Sequence, residues 1–414
     1  MSSRKVVITG LGIISPIGIG REAFWHGLKC GMDGISAISL FDTSPLMCHK
    51  GGEVVRFDAA RFLGQKGLKY LDRSTQLLAS ATALALADAQ LPVQSTHELE
   101  IGLAVGTAFG SLESISGFDQ EALKEGPRYV NPMAFPKTVI NSPAGHTAIK
   151  FGLTGLNATI SAGCVSSLQA INYAVDCIQS EQADILLAGG VEELCLASYV
   201  GFYKMRLLSG TRHGQEEKVA PFDTYRDGLI LGEGAALLAL EELEHAQARN
   251  AKVYGEIIGF GNAHDAYHAY RYNPEGAGAT QAMLLALQDA ELEPREVDYI
   301  CANANGSQTG DKMEAQSIKK VFGEYASQVA ISSIKSMVGE SLGASGAFQA
   351  AASILSLIEG VIPPTINFKE CDPSWELDGL RNQTARREMT VAMINSFGCD
   401  GNNAALLLRR RDSA

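Results

Sequence analysis

The sequence predicts an α/β protein built as two similar halves, and three observations carry that prediction. Strand-like runs alternate with Ala- and Leu-rich helical stretches, the pattern of parallel strands covered by helices on both faces. The pattern then runs a second time after residue 250, which divides the chain into a half at 1–250 and a half at 251–414. Finally, 414 residues exceed one ordinary core, while 46% hydrophobic and 19% charged residues supply a large one and argue against disorder.

In the first half KVVITGLG is strand-like and DRSTQLLASATALALADAQ helical. IGLAVGTA is a strand, ATISAGCVSSLQAINYAV a strand running into a helix, and ADILLAGGVEE a strand. In the second half VYGEIIGFG, GATQAMLLALQDAEL, VDYICANANG, DKMEAQSIKKVFG and VAISSIKSMVGES repeat the alternation. A long Ala-rich helix and AMINSFGCDGNNAALLLR complete it. A tight Gly/Ser turn feeds a small-residue helix at ISAGCVSSLQAINYAV and again at GASGAFQAAASILSL, where small side chains let two helices approach closely in a layered fold. Residues 110–150, with Pro127, Pro132, Pro136 and Pro143, read as an irregular segment, too long for a connector, that covers a partner or a site.

A net charge of −12 argues against a general nucleic-acid binder, and the Arg409-Arg410-Arg411 run is assigned no function. The N-terminus enters a strand-like run without the apolar region of a secretory signal. No uninterrupted apolar run reaches the ~18 residues of a spanning helix, so a cytoplasmic protein is expected. Eight cysteines without a CxxC pair are expected to be reduced, mostly buried thiols. TGLGIIS at 9–15 lacks the third glycine and the acidic residue of a dinucleotide fingerprint and is expected to be a tight turn. HDAYH at 264–268 has Asp265 where a zinc motif needs Glu, so no metal site and no bound cofactor are expected.

Cys164 stands where a strand-like run meets the start of a helix, between Gly163 and Val165-Ser166-Ser167. A thiol at a helix N-terminus lies near the positive end of the macrodipole, which favours thiolate and makes a nucleophile of it. The alternative is a buried small hydrophobe.

VVITGLGIISPIG, FDTYRDGLILGEGAALLALEELEHA, GFGNAHDAYH, GDKMEAQSIKKVFGE, SIKSMVGESLGASGAFQAAASIL and NSFGCDGNNAALLLR span nearly the whole chain. Across them the sequence resembles the β-ketoacyl-acyl-carrier-protein synthases of the thiolase superfamily. The resemblance implies a thiolase-like fold, two duplicated βαβ halves in five layers, α-β-α-β-α. It also implies an acyl chain loaded on the cysteine, decarboxylation of a malonyl unit on a carrier protein, and Claisen condensation. Substrates would arrive on the phosphopantetheine of acyl carrier protein.

In that family two neutral imidazoles, in segments N-A-H-G-T and K-S-x-x-G-H, donate hydrogen bonds while the enolate develops. Aligned without gaps between Tyr299 and Asp311, Asn303 takes the first position, and KSMVGES sets Glu340 in the second. Asn303 keeps an amide donor; an ionised Glu340 only accepts and repels an enolate, whereas a protonated one would donate. No histidine follows His268. Lys335, Asp311 and Glu314 are retained and by resemblance build the polar network behind the site.

This pattern resembles the noncatalytic chain-length factor of type II polyketide ketosynthase pairs, whose F-A-D-A-x-G segment is close to CANANG, although those subunits commonly carry glutamine at the position of Cys164. The oxyanion hole implied by the resemblance pairs the backbone N–H of Cys164 with that of Cys399. Cys399 stands in SFGCDGNN where active relatives carry a gating aromatic in S-F-G-F-G-G-T-N. The likeness places a chain tunnel and subunit interface at Thr107, Phe109, Leu112, Met133 and Phe135. Each of these is equally an ordinary interface residue.

The expected function is therefore a chain-length-factor-like subunit that pairs with an active ketosynthase as a heterodimer and shapes the acyl tunnel. The alternatives are a Cys164-dependent acyltransferase, a β-ketoacyl-carrier-protein synthase II-like condensing enzyme acting as a homodimer, or a scaffold on the same fold. Lys204, Arg206 and Arg271 are candidates by sign and rough location for docking acyl carrier protein.

Overall fold

The computed structural model describes residues 4–93, 99–211, 216–371, 375, 377 and 379–411. In the first half β1 (Val6–Ser15), β2 (Ile101–Gly106), β3 (Asn157–Ile160), β4 (Ile185–Glu192) and β5 (Gly234–Glu242) lie in the order β3-β2-β4-β5-β1. In the second, β6 (Gly255–His264), β7 (Tyr299–Cys301), β8 (Ala330–Ser332), β9 (Val391–Phe397) and β10 (Asn402–Arg410) lie in the order β8-β7-β9-β10-β6. Numbered within each half, both orders are 3-2-4-5-1. A short antiparallel pairing of β1 with β6, centred on Val7 and Glu256, joins them.

The expectation of parallel strands holds only for β2, β3 and β4 and for β7, β8 and β9. The last and first strands of each half run antiparallel, β4–β5–β1 and β9–β10–β6. A helical crossover is what forces strands parallel. The chain reaches β10 from β9 through a short turn, and β5 from β4 through the long excursion 193–233, so either direction is open.

Helices fill three layers. Alternate residues of each strand face opposite sides, so Leu186 and Ala188 join the central core while Ile185 and Leu187 join an outer one. The outer layer of the first half holds α1 (Arg73–Asp88) and, beyond α2 (Leu112–Glu125), α3 (Ser142–Phe151). The middle layer pairs α4 (Ser166–Gln179) with α8 (Ser345–Glu359). The outer layer of the second half holds α5 (Ala277–Asp289) and α6 (Gln308–Phe322), and the short α7 (Lys335–Val338) precedes α8. The small residues read from the sequence do set the close approach: Gly346 lies against Leu168, and the Ala347 N–H donates to Ser167 Oγ at 3.0 Å. The stretch Leu342–Glu359 is apolar and long enough to cross a membrane, yet nearly all of it is buried at this centre.

The duplication reaches single glycines. TGLGIIS is not a turn but part of β1, where Gly10 and Gly12 let α1 press on the strand: a Cβ on Gly10 would lie 2.6 Å from that of Ala89, and one on Gly12 would strike the Ala81 carbonyl. Gly259 and Gly261 of β6 meet Ala286 and Ala282 of α5 in the same way. Residues 110–150 are likewise more regular than expected, since they form α2, a 3-10 helix at Pro132–Lys137 and α3. Pro132 and Pro143 occupy first-turn positions, where the missing N–H costs nothing.

Candidate functional site

The turn before α4 is built on its backbone. Gly163 adopts φ 59, Ser166 Oγ donates to the Gly163 carbonyl at 2.6 Å, and the Ala162 N–H donates to Ser166 Oγ at 2.9 Å. Cys164 is thereby lifted onto the end of the helix, and its carbonyl accepts from Ser396 Oγ of β9 at 3.0 Å, which ties the two halves together at the nucleophile. The thiol itself is not activated as its helix position suggests. Burial, followed by the Glu340 carboxylate, pushes it well above the ordinary thiol range, with Lys335 opposing and Cys399 and Asp400 adding to the rise. The helix end is outweighed because desolvation and a carboxylate act on the same sulfur.

The polar network behind Cys164 is fixed from α6. Its cap Ser307 accepts from the Gly310 N–H at 3.2 Å, and its two carboxylates seize the preceding loop. Glu314 accepts from the N–H groups of Asn303 at 2.9 Å and Ala304 at 2.7 Å, and Asp311 from those of Asn305 at 3.0 Å and Gly306 at 3.2 Å. Burial lifts Asp311 to about 6 and Glu314 to about 7 despite these donors. Inside this frame Lys335 Nζ donates to Asn303 Oδ1 and to Glu340 Oε2, both at 2.8 Å. Asn305 Nδ2 donates to the same Glu340 oxygen at 2.7 Å. Glu340 Oε1 accepts from Ser345 Oγ at 2.7 Å and the Leu342 N–H at 3.1 Å.

Four donors thus converge on Glu340, one of them an ammonium, and both partners of the ion pair are 1% exposed. That is the bonding of a carboxylate with its acceptor positions occupied and no proton to give. Lys335 and Glu340 form a buried ion pair at 2.8 Å. Asn303 and Asn305 are both in the network, but in different parts. Asn303, which ungapped counting between Tyr299 and Asp311 sets at the first imidazole's position, is buried and turned to Lys335, while Asn305 two residues on is turned to Glu340. Asn305 was not singled out in the sequence, because its contact with Glu340 depends on how the two loops pack. Asn303 serves as the acceptor for Lys335.

Cys399 follows β9 and is an electrostatic neighbour of Cys164, and Asp400 presses on the nucleophile turn, where a Cβ at Gly163 would strike its carboxylate. The Asp400 oxygens accept from Asn402 Nδ2 at 2.9 Å and its N–H at 3.3 Å. Of the eight cysteines, all free, Cys48, Cys177, Cys195 and Cys301 are buried, Cys164, Cys371 and Cys399 half-buried and Cys30 exposed. His264 and His268 are exposed, and the Nδ1 atom of each accepts from the N–H two residues on.

The tunnel and interface candidates separate into two places. Thr107 is buried beside the nucleophile turn: its carbonyl accepts from Ser166 Oγ at 3.2 Å, and its hydroxyl donates to Glu192, which also accepts from the N–H groups of Ala108, Phe109 and Gly343. Phe109 and Leu112 follow it, more exposed, while Met133 is 76% and Phe135 59% exposed, and the Phe135 ring meets that of Phe118. Of the docking candidates, Arg271 lines a cavity of about 1070 Å³ that is also lined by Cys399, by Lys312, Lys319 and Lys320 of α6, and by Glu275, which pairs with Lys320 at 3.8 Å. Lys204 and Arg206 do not line it; their neighbours Met205 and Leu207 do. The three α6 lysines were not singled out in the sequence, because their alignment with Arg271 depends on how α6 packs.

The profile of the β-ketoacyl synthase N-terminal domain matches residues 3–246, and that of the C-terminal domain residues 254–369. The chain is 39% identical over 412 residues to 3-oxoacyl-[acyl-carrier-protein] synthase 2 of Coxiella burnetii, and 38% over 411 to that of a Synechocystis species, 99% of every chain being covered. Among solved structures it is similar to the ishigamide ketosynthase/chain length factor, with TM-score 0.92, 32% identity, 99% of this chain and 100% of that one. It is also similar to a type II polyketide-synthase ketosynthase bound to a hexaketide and in complex with its acyl-carrier protein, with TM-score 0.89, 29% identity and the same coverage.

Proposed function

The chain belongs to the β-ketoacyl synthase family, and on that footing we propose that it is a chain-length-factor-like subunit. In this reading it is a cytoplasmic partner of a decarboxylating ketosynthase in a type II polyketide or related fatty-acid-like synthase. The observation that carries the reading is Glu340. Malonyl decarboxylation needs donors aimed at an oxygen that becomes negative, and removing one such donor typically costs about 10²–10³ in rate. Here the second donor position holds a carboxylate saturated by Lys335, Asn305, Ser345 and Leu342, and the first holds Asn303, whose Oδ1 is turned to Lys335. The raised Cys164 thiol points the same way.

The partner would seat on the exposed apolar surface around Met133 and Phe135, and the loop from Thr107 to Leu112 would carry that contact to the tunnel. The cavity between Arg271 and the α6 lysines suits the phosphopantetheine arm of an acidic carrier protein, with no cofactor bound to the chain itself. The test is carbon dioxide release from malonyl-carrier protein. None is expected from the purified chain, and release is expected on mixing with a partner ketosynthase that carries both histidines. Release by the chain alone at an ordinary enzymatic rate would overturn the reading.

One observation favours a second reading. Cys164 remains at its helix end with Cys399 as an electrostatic neighbour, and acyl transfer without decarboxylation needs a nucleophile but no enolate stabilisation. A mass increase on Cys164 after incubation with acyl-carrier protein, absent in Cys164→Ala, would select it.

A further inference from the structure

The cavity that Cys399 helps to line has three tyrosines in its wall, Tyr267, Tyr270 and Tyr272. Tyr267 and Tyr270 are 54% and 66% exposed, and each has a ring contact with His268, at 6.5 and 6.0 Å between centroids. Tyr272 is different: it is half-buried, packed against the outer core of the second half. Its ring lies over Gly310 of α6 so closely that a Cβ there would stand 2.8 Å from Cε2 and 3.0 Å from Cζ. The ionisable groups that act on its hydroxyl are Cys399, Cys164, Glu340 and Asp311, so the phenol faces the candidate site. Burial, with these groups, keeps the phenol well above its usual range and therefore neutral. No hydrogen bond joins that hydroxyl to any described residue.

A side chain that blocks a passage reversibly has to be large, uncharged and not anchored by a hydrogen bond. Tyr272 has all three properties and stands beside Cys399, a small residue at the position where the resembling motif carries an aromatic. We propose that Tyr272 is the gate and a specificity-determining residue for pantetheine thioesters moving from the cavity toward Cys164, replacing the bulk absent at position 399. The proposal rests on the reading that such thioesters use this cavity.

The test is alkylation of Cys164 at pH 9, followed by intact mass with Cys164→Ala as the control, using small iodoacetamide and a chloroacetamide carried on pantetheine. Tyr272→Ala is expected to speed the pantetheine reagent by about tenfold or more and iodoacetamide by less than about threefold; Tyr272→Phe is expected to stay within about twofold for both. Gly310→Ala, which displaces the ring without removing it, is expected to change the pantetheine rate when Tyr272 is present and not in the Tyr272→Ala background. Equal pantetheine rates in the native chain and Tyr272→Ala overturn the gate and leave the entrance reading intact. Iodoacetamide labelling with no pantetheine labelling in any variant overturns the entrance reading and the gate together. Silence of Cys164 toward both reagents in Tyr272→Ala overturns the gate, since an open passage must expose the thiol.

Discussion

The nucleophile turn and the loop pair at 303–307 and 335–340 lie side by side, yet they spend their hydrogen bonds in opposite ways. At the turn the backbone and Ser166 satisfy one another and the Cys164 side chain is left over. In the loop pair the backbone is gripped by Asp311 and Glu314, and the side chains of Asn303, Asn305, Lys335 and Glu340 are spent on each other. The first region thus leaves a thiol outside its hydrogen bonds, and the second commits its polar side chains to one another. The largest test of this contrast is therefore a stability measurement. Lys335→Met strands a buried carboxylate and is expected to cost about 3–5 kcal/mol by urea denaturation, while Lys335→Met with Glu340→Met recovers most of that loss. Equal losses in the single and double variants would show that Glu340 is not held as an ion by Lys335.

The next effect concerns the strand end that supports both regions. Glu192 accepts backbone N–H bonds from Ala108, Phe109 and Gly343 and so ties the loop beside Cys164 to the one after Glu340. Burial nevertheless lifts it to about 7 from 4.5, and lifts neighbouring Glu193 to about 8. A carboxyl raised in the folded state stabilises the fold fully below its unfolded value, and that contribution is lost as pH rises through the folded value. The stability of the chain should thus fall between about pH 4.5 and pH 8, by about 2 kcal/mol or more. Glu192→Gln should flatten the part of the slope below about pH 7; urea midpoints taken across this range that show the same slope in both proteins would remove Glu192 from the account.

Much of the contrast was legible in the residues. The alternation of strands and helices, the repeated theme and the position of Cys164 all follow from local patterns. What was not legible depended on packing. Ala, Leu and Glu are strong helix formers, yet GAALLALEE forms β5, buried at every position between β1 and β4, because its neighbours supply the ladder that propensity does not. TGLG reads as a turn until α1 is laid across it. The thiol's shift could not be inferred from its helix end, since Glu340 and Asp400 arrive from 176 and 236 residues away, the differences 340 − 164 and 400 − 164.

Asp400 gives a smaller and more local test. Its carboxylate lies on the turn at Gly163 and is one of the groups that raise Cys164. Asp400→Asn keeps the shape and removes the charge, so the thiol should ionise more readily and its iodoacetamide rate at pH 8 should rise by about threefold to tenfold. An unchanged rate would leave burial and Glu340 as the whole cause. Combined with Glu340→Gln the increase should be larger, because both charges act on one sulfur.

The smallest expected change lies furthest from either region. Met133 and Phe135 are largely exposed, and an exposed side chain away from any buried polar group rarely moves stability by more than about 0.5 kcal/mol. If they are partner-facing, Met133→Ser and Phe135→Ser should leave the urea midpoint of the dilute chain within that range. They should still weaken association, measured by sedimentation against a partner ketosynthase or against the chain itself. A surface that loses stability on its own would be an ordinary part of the fold, held through the Phe118–Phe135 ring contact at 6.1 Å. A surface that loses only association is one the chain keeps for another subunit, and the direction in which the two measurements part decides between them.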